Sequence, residues 1–180
     1  MSERRPATLI TGASAGIGTA LAHVFARNGH ELVLVARRED RLAALSAEIA
    51  ARGHPRPIFL PVDLESKDAA ARIEGMLNTL GLEPSVVVNN AGFGLVGETT
   101  RLDRSEQLAI IDVNVRALTA LSLAFVDSLE RHRGGILNVA SIAAYLPGPR
   151  MAVYYATKAY VLSFSEALHR EPPFGNEGRS

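Results

Sequence analysis

The 180-residue sequence contains no cysteine, which excludes a disulfide framework, a zinc site built on thiolates and a cysteine nucleophile. It also lacks a charge imbalance, because 19 basic residues stand against 19 acidic ones. Balanced charge gives no reason to expect nucleic acid or an anionic membrane surface as the main partner. We find no apolar run with the length of a signal peptide or a membrane span. We therefore expect a cytoplasmic protein that binds neither nucleic acid nor membrane.

What the sequence does contain is the composition of a globular chain, with 47% hydrophobic and 21% charged residues. A chain of this size is long enough for one domain with a buried core and too short for two ordinary domains. The histidines form no cluster with the spacing of metal ligands; they are His23, His30, His54, His132 and His169. We therefore predict no metal site.

Short apolar runs alternate with helical patterns along the whole chain. Strands are predicted over residues 7–11, 31–36, 57–62, 85–88 and 136–139, and the later helices over 40–52, 67–80, 105–131 and 152–170. Continuous apolar strands separated by helices indicate a parallel sheet that is covered on both faces. The fold class is therefore α/β, a doubly wound, Rossmann-like sheet of about five strands with its ligands at the strands' carboxyl ends.

The first chemical signal is a glycine-rich turn after the first strand, Thr11-Gly12-Ala13-Ser14-Ala15-Gly16-Ile17-Gly18. Glycines at such a turn let the backbone approach a pyrophosphate, whose charge then lies at the amide end of the next helix. Three residues separate the first two glycines, unlike the usual dinucleotide fingerprint, and the Lys-Ser/Thr ending of an ATP or GTP phosphate loop is missing. An ordinary strand–helix turn is the alternative interpretation.

The second signal is an arginine pair at the end of the second strand, in Val35-Ala36-Arg37-Arg38. An NAD site normally has an acidic residue here to bind the ribose hydroxyls. Adjacent guanidinium groups suit a 2′-phosphate instead, because each offers forked donors and a fixed positive charge. This favours NADP(H) over NAD, although a solvated helix start would also explain the pair.

The third signal is Tyr154 followed by Lys158, four residues apart and therefore on one face of a helix. A nearby ammonium stabilises a phenolate, which makes a tyrosine useful in acid–base chemistry. The chain uses 17 arginines but only two lysines, Lys67 and Lys158, so a lysine at this position is notable. Tyr155 lies three residues from Lys158 and is the competing tyrosine.

Four motifs in this order resemble the short-chain dehydrogenase/reductase family over residues 7 to about 171. They are the glycine-rich turn, Asn89-Asn90-Ala91-Gly92 after the fourth strand, Ser141 after the fifth, and the Tyr154–Lys158 pair. The 13 residues from Ser141 to Tyr154 match the family's serine-to-tyrosine spacing, which selects Tyr154 over Tyr155.

The resemblance implies catalytic roles for Asn114, Ser141, Tyr154 and Lys158. Tyr154 would exchange a proton with the substrate oxygen, Lys158 would assist it and hold the nicotinamide ribose, and Ser141 would bind that oxygen. Asn114 would kink its helix and anchor a proton-relay water. The implied cofactor-binding residues are Gly12, Ser14, Gly16, Ile17, Gly18, Arg37, Arg38, Asp63, Leu64, Asn90, Ala91, Gly92, Tyr154 and Lys158.

The implied reaction is hydride transfer between NADP(H) and a small, apolar carbonyl or alcohol. Apolar residues on either side of the expected cleft, in Phe93-Gly94-Leu95 and residues 142–151, favour such a substrate. The resemblance also implies a homo-oligomer formed through the helices that carry Asn114 and Tyr154.

The family pattern continues beyond the tyrosine helix with two more strands and a substrate lid. We therefore expect residues 1–171 to form an NADP(H)-binding domain that is incomplete at its C-terminal end, with residues 172–180 as an irregular tail. Two functions follow: an active oxidoreductase, or a catalytically impaired, truncated member that serves only as a cofactor- or partner-binding module.

Overall fold

The computed structural model describes residues 4–171, and its centre is a sheet of five parallel strands. The strands are β1 (Arg5–Thr11), β2 (Leu32–Ala36), β3 (Ile58–Pro61), β4 (Leu82–Asn89) and β5 (Gly135–Asn138), in the order β3-β2-β1-β4-β5. This confirms the doubly wound α/β fold. β4 begins earlier than predicted because the pairing with β1 shifts register between Ala7 and Thr8, which accommodates Pro84 opposite Ala7. The expected tail, residues 172–180, lies outside the described residues.

Seven α-helices connect or follow these strands within the described range. They are α1 (Gly16–Arg27), α2 (Glu39–Ala51), α3 (Ala69–Thr79), α4 (Arg104–Ile111), α5 (Leu118–Ala124), α6 (Val126–Arg131) and α7 (Ala152–Arg170). A π-helical segment, Asp112–Ala117, joins α4 to α5, and a 3-10 turn, Ile142–Tyr145, follows β5.

The sheet has one apolar core on each face. Successive residues of a strand point to opposite faces, so Leu9 belongs to one core and Ile10 to the other. The first core also contains Ile73 of α3 and Leu121 of α5, while the second contains Leu42 of α2. Helices therefore cover both faces, as continuous apolar strands require.

The helical stretch predicted over residues 105–131 is present, but it is not one continuous α-helix. The structure winds its middle as a π-helix and breaks it at the buried Phe125, whose φ is −114°. After the break, α6 is held to the start of β4: Ser128 Oγ donates to the Pro84 carbonyl (2.6 Å), and Arg131 pairs with Glu83 (2.8 Å). These contacts connect residues 44 to 48 positions apart, so no local pattern predicts the break.

One helical stretch also corrects our expectation about membrane spans. Arg104–Ala124, which runs through α4, the π-helical segment and α5, is long and apolar enough to cross a membrane by length and composition. Part of its apolar character is explained by the fold, because Ala117 and Leu121 belong to the core on one face of the sheet, although only 33% of the apolar window is buried. Core helices of soluble proteins meet the same criterion, so it is weak evidence for a membrane span.

The close packing of α1 against the preceding turn gives a first prediction. A Cβ at Gly18 would overlap the carbonyl oxygen of Gly12 and lie 2.6 Å from Asn90 Nδ2. Because backbone must move, we expect Gly18→Ala to lower the free energy of unfolding by about 2 kcal/mol, measured by urea denaturation. Gly75→Ala is the control: Gly75 is inside α3 with nothing near its Cβ position. Gly75→Ala should raise the free energy of unfolding by about 0.5–1 kcal/mol, because alanine favours the helix over the unfolded chain. Equal effects of both changes would contradict this account.

Candidate functional site

A cavity of about 790 Å³ lies at the carboxyl edge of the sheet. Its wall is formed by the segments that follow all five strands, together with Val113 of the π-helical segment and Tyr154 and Lys158 of α7. The predicted site residues in this wall are Gly12, Ser14, Ile17, Arg37, Arg38, Asp63, Leu64, Asn90, Ala91, Gly92, Ser141, Tyr154 and Lys158. Gly16, Gly18 and Asn114 are not part of it. In the described part of the chain, no three His, Asp or Glu side chains are grouped to hold a metal ion.

The glycine-rich turn is locked to the segment after β4. Thr11 Oγ1 accepts hydrogen bonds from the backbone amides of Asn90 (3.0 Å) and Ala91 (3.1 Å). In return, Asn90 Nδ2 donates to the Thr11 carbonyl at 2.9 Å. Gly12 has a φ of +65°, and a Cβ there would lie 2.8 Å from the Ala91 Cα, so only glycine fits. Thr11 was part of the predicted motif, but its role in positioning the turn was not predicted. Its place at the end of β1 is the feature of the sequence that could have indicated this role.

The first turn of α1 is arranged to receive an anion. Its N-cap residue, Ala15, makes no capping hydrogen bond through its side chain, and the first turn contains no acidic residue. Ala15 and Ile17 lie in the cavity wall. The amide end of the helix, with its partial positive charge, therefore borders the cavity without a side-chain partner. This arrangement and the close approach that glycine permits at the turn fit the pyrophosphate of a dinucleotide.

The two arginines follow β2, which is three positions from β5 in the order of the sheet. They have different partners. Arg37 Nη1 forms an ion pair with Glu65 Oε1 at 2.9 Å, whereas Arg38 Nη2 donates to Ser14 Oγ at 3.0 Å. Asp63 lies in the wall beside them, and its Oδ1 accepts the backbone amide of Glu65 at 3.0 Å. Two fixed positive charges thus border the cavity, as an anionic group on a ligand would require.

Tyr154, Lys158 and Ser141 come together in the opposite part of the wall. Lys158 is 6% exposed, and its Nζ donates to the Val139 carbonyl (2.8 Å) and lies 5.8 Å from the centre of the Tyr154 ring. Burial lowers the pKa of Lys158 below its ordinary value. Ser141 Oγ accepts the amide of Ala143 at 3.2 Å, which fixes the hydroxyl at the start of the 3-10 turn.

Asn114 lies behind the cavity wall and is 1% exposed. Its Oδ1 accepts the amide of Phe93 (3.0 Å), and its Nδ2 donates to the Phe93 carbonyl (2.9 Å) and to Thr157 Oγ1 (3.0 Å). Thr157 Oγ1 in turn donates to the Tyr154 carbonyl at 2.7 Å. Asn114 therefore positions both the loop after β4 and the tyrosine helix. Thr157 was not predicted; a buried hydroxyl beside Lys158 in sequence is the signal that could have found it.

Exposed apolar side chains follow Ser141. Ile142 is 81% exposed, Tyr145 71% and Leu146 63%. On the other side, Gly94 contacts Tyr154 so closely that a Cβ would lie 2.7 Å from its ring. The segment after Ser141 is thus apolar, as the sequence indicated, whereas the close packing against the Tyr154 ring is at Gly94.

These features agree with comparisons to known proteins. A sequence profile described as short chain dehydrogenase matches residues 6–173. The chain belongs to this family. A short chain dehydrogenase of Pseudocercospora fijiensis is 37% identical over 168 residues, which are 91% of this chain and 53% of that protein. The very-long-chain 3-oxoacyl-CoA reductase of Bos taurus is 33% identical, with the same coverage. The chain thus spans about half the length of the curated relatives it matches.

Solved structures of short-chain dehydrogenases share the fold. One from Sphingobium yanoikuyae, in complex with NADPH, is 36% identical with a TM-score of 0.82, covering 91% of this chain and 64% of that one. The bulky-bulky ketone specific alcohol dehydrogenase from Comamonas testosteroni is 31% identical with a TM-score of 0.83, covering 93% and 67%. The Rossmann-like fold and the oxidoreductase family are therefore established for this chain.

The burial of Lys158 predicts a pH-dependent stability. Because its pKa is lower in the folded state than the ordinary 10.5, the unfolded chain binds this proton more tightly. At lower pH the charged Lys158 therefore lowers the free energy of unfolding. This loss of stability disappears as the pH rises from the folded-state pKa towards 10.5. Lys158→Met lacks this loss of stability at every pH. Measured by urea denaturation, that contribution to the difference in free energy of unfolding between Lys158→Met and wild type should therefore shrink between the folded-state pKa and pH 10.5.

Lys67, the other lysine, is exposed, and Lys67→Met is the matched control for replacing a lysine at the surface. A Lys158→Met difference that stays flat up to pH 10.5 would contradict the lowered pKa.

Proposed function

We propose that this short-chain dehydrogenase transfers a hydride between NADP(H) and a small, apolar carbonyl or alcohol, with Tyr154 as the acid–base. The observation that carries the proposal is that Tyr154, Lys158 and Ser141 share one cavity with the glycine-rich turn and the arginine pair. A dinucleotide-binding half and a proton-transfer half at the same sheet edge are what such a reaction needs.

The cofactor would be held by residues that follow the first four strands. The amide end of α1 would take the pyrophosphate, and Arg37 and Arg38 would bind the 2′-phosphate with charge-assisted hydrogen bonds. Asp63, Leu64 and the segment Asn90 to Gly92 would border the adenosine and the ribose. The bound cofactor supplies or accepts the hydride. The complexes of related structures with NADPH, from Sphingobium yanoikuyae, and with NADP, from a metagenomic enzyme, support this choice.

The acid–base step would rest on α7. The Tyr154 hydroxyl gives a proton to the carbonyl oxygen during reduction or takes one from the alcohol during oxidation. Lys158 Nζ lies 5.8 Å from the centre of the Tyr154 ring, and its burial means that water screens the interaction between the two groups less. Ser141 donates to the substrate oxygen as negative charge develops there. Asn114 and Thr157 act through Tyr154, as positioning residues.

The substrate's character is inferred from the exposed apolar side chains that follow Ser141, which is in the cavity wall. The exposed side chains of Ile142, Tyr145 and Leu146 would contact the part of the substrate away from its oxygen. They offer apolar area and, apart from the tyrosine hydroxyl, no polar group to pair with, so an apolar ketone or secondary alcohol fits better than a charged one. The names of two related proteins, a 3-oxoacyl-CoA reductase and a ketone specific alcohol dehydrogenase, also refer to compounds with a carbonyl group.

The test is NADPH oxidation with a panel of apolar ketones. Tyr154→Phe removes the acid–base hydroxyl and should lower kcat by about 10²–10⁴-fold, while NADPH binding measured by calorimetry stays within twofold. Tyr155→Phe is the matched control, one residue away on the same helix, and should retain activity. If Tyr155→Phe has the larger effect, the assignment is wrong. NADPH binding with no turnover of any ketone would instead favour the cofactor-binding module.

We further propose a homo-oligomer formed through the helices that continue from Asn114 and carry Tyr154. Thr119 of α5 contacts the Tyr160 hydroxyl of α7 at 2.8 Å, and Tyr160 stacks on Phe164 at 5.7 Å between ring centres. Leu123, one turn after Thr119, is 57% exposed. This apolar face on two adjacent helices suits a second copy of the chain, which would present the same face in return.

Light scattering should therefore show a dimer or larger oligomer that Leu123→Glu dissociates, because a carboxylate would be buried without a partner. Val24→Glu is the control: Val24 is 41% exposed on α1, outside this face. A wild-type chain that stays monomeric at every concentration would refute the oligomer, as would equal dissociation by both variants.

A further inference from the structure

We propose that Glu65 sets the strength of the cofactor preference by competing with the 2′-phosphate for Arg37. This inference rests on the proposed binding of NADP(H). It assigns a role to a carboxylate that neither the glycine-rich turn nor the catalytic residues would draw attention to, since Glu65 lies one residue beyond the cavity wall.

The observation is the 2.9 Å ion pair between Arg37 Nη1 and Glu65 Oε1. Of the two arginines in the wall, Arg37 has its charge compensated by a carboxylate, whereas Arg38 is bonded to the neutral hydroxyl of Ser14. A phosphate dianion that reaches Arg37 must therefore displace Glu65 or lie beside its negative charge. Either event weakens the binding of the phosphate.

Glu65 is held in place by its backbone rather than by the ion pair alone. Its amide donates to Asp63 Oδ1 at 3.0 Å, and its carbonyl accepts Arg116 Nη2 at 2.7 Å. Arg116 is itself paired with Asp112 at 2.9 Å. An anchored backbone keeps the carboxylate near Arg37, so the pair loses less conformational entropy than two freely moving surface side chains would.

A ligand without the 2′-phosphate has no need of Arg37. NADH would therefore bind with the Arg37–Glu65 pair intact, and its affinity would not depend on Glu65. The carboxylate acts on only one of the two cofactors, which makes Glu65 a specificity-determining residue. Specificity is a difference between two binding affinities. Here Glu65 lowers the affinity for NADPH but not that for NADH, so it makes the preference for NADPH smaller.

The experiment compares dissociation constants for NADPH and NADH, measured by calorimetry on the full chain. Glu65→Gln keeps the size and polarity of the side chain but removes its charge. A partly exposed ion pair is worth up to about 1 kcal/mol, so NADPH should bind about two- to fivefold more tightly. The affinity for NADH should stay within twofold of wild type, and the NADPH preference should therefore increase.

The chain offers a matched control in Glu31. Glu31 Oε2 pairs with Arg5 Nη1 at 2.9 Å with similar exposure, 62% and 29% for the arginine and the glutamate, against 63% and 33% for Arg37 and Glu65. The Arg5–Glu31 pair lies at the opposite edge of the sheet from the cavity, at the start of β1. Glu31→Gln should leave both cofactor affinities unchanged.

A second variant tests the route of the effect. In an Arg37→Gln background, Glu65→Gln should give a smaller gain in NADPH affinity than in wild type, because the competition for Arg37 is gone. An unchanged NADPH affinity in Glu65→Gln, or an equal gain for NADH, would overturn the role of Glu65 and leave the proposed function standing. A wild-type chain that binds neither cofactor, or NADH as tightly as NADPH, would overturn both.

Discussion

The contacts between the ends of β1 and β4 are the constraint on which the rest of the site depends. One hydroxyl, Thr11 Oγ1, accepts two backbone amides from the neighbouring strand, and the Asn90 side chain returns a hydrogen bond to the backbone of β1. These bonds fix the position of the glycine-rich turn, and therefore the point at which α1 begins. The amide end of that helix, which borders the cavity, takes its position from the hydrogen bonds of Thr11 and Asn90.

A second constraint is the burial of a charge. Lys158 is the only lysine in the core of the described residues, and its single hydrogen bond goes to a backbone carbonyl of the segment after β5. Removing an ammonium from water costs free energy that one such bond does not fully offset. The cost falls in the cavity wall beside Tyr154, and a perturbed titratable group in a cleft is typical of functional sites.

The sequence predicts the sheet well because a buried parallel strand is a local signal: a short apolar run bounded by glycine or by a helix pattern. Most predicted site residues reach one cavity for a related reason, since parallel strands bring their carboxyl ends to one edge. The break at Phe125 was not predictable in this way, because the contacts that hold α6 to β4 join residues that are distant in sequence. The irregularity at Asn114 was expected only from the family resemblance; its π-helical form lies where the Asn114 side chain bonds Phe93 and Thr157, which are also distant in sequence. The partner of Arg37 was missed for the same reason, as Glu65 is 28 residues away.

The hydrogen bonds of Asn114 have a consequence for motion. A single amide side chain joins the backbone of Phe93, in the loop after β4, to Thr157, which is bonded to the tyrosine's own carbonyl. Because the side chains of Asn114 and Thr157 are both buried, the loop and the first turns of α7 are mechanically linked. A displacement of the loop after β4 would therefore be transmitted to the helix that carries Tyr154.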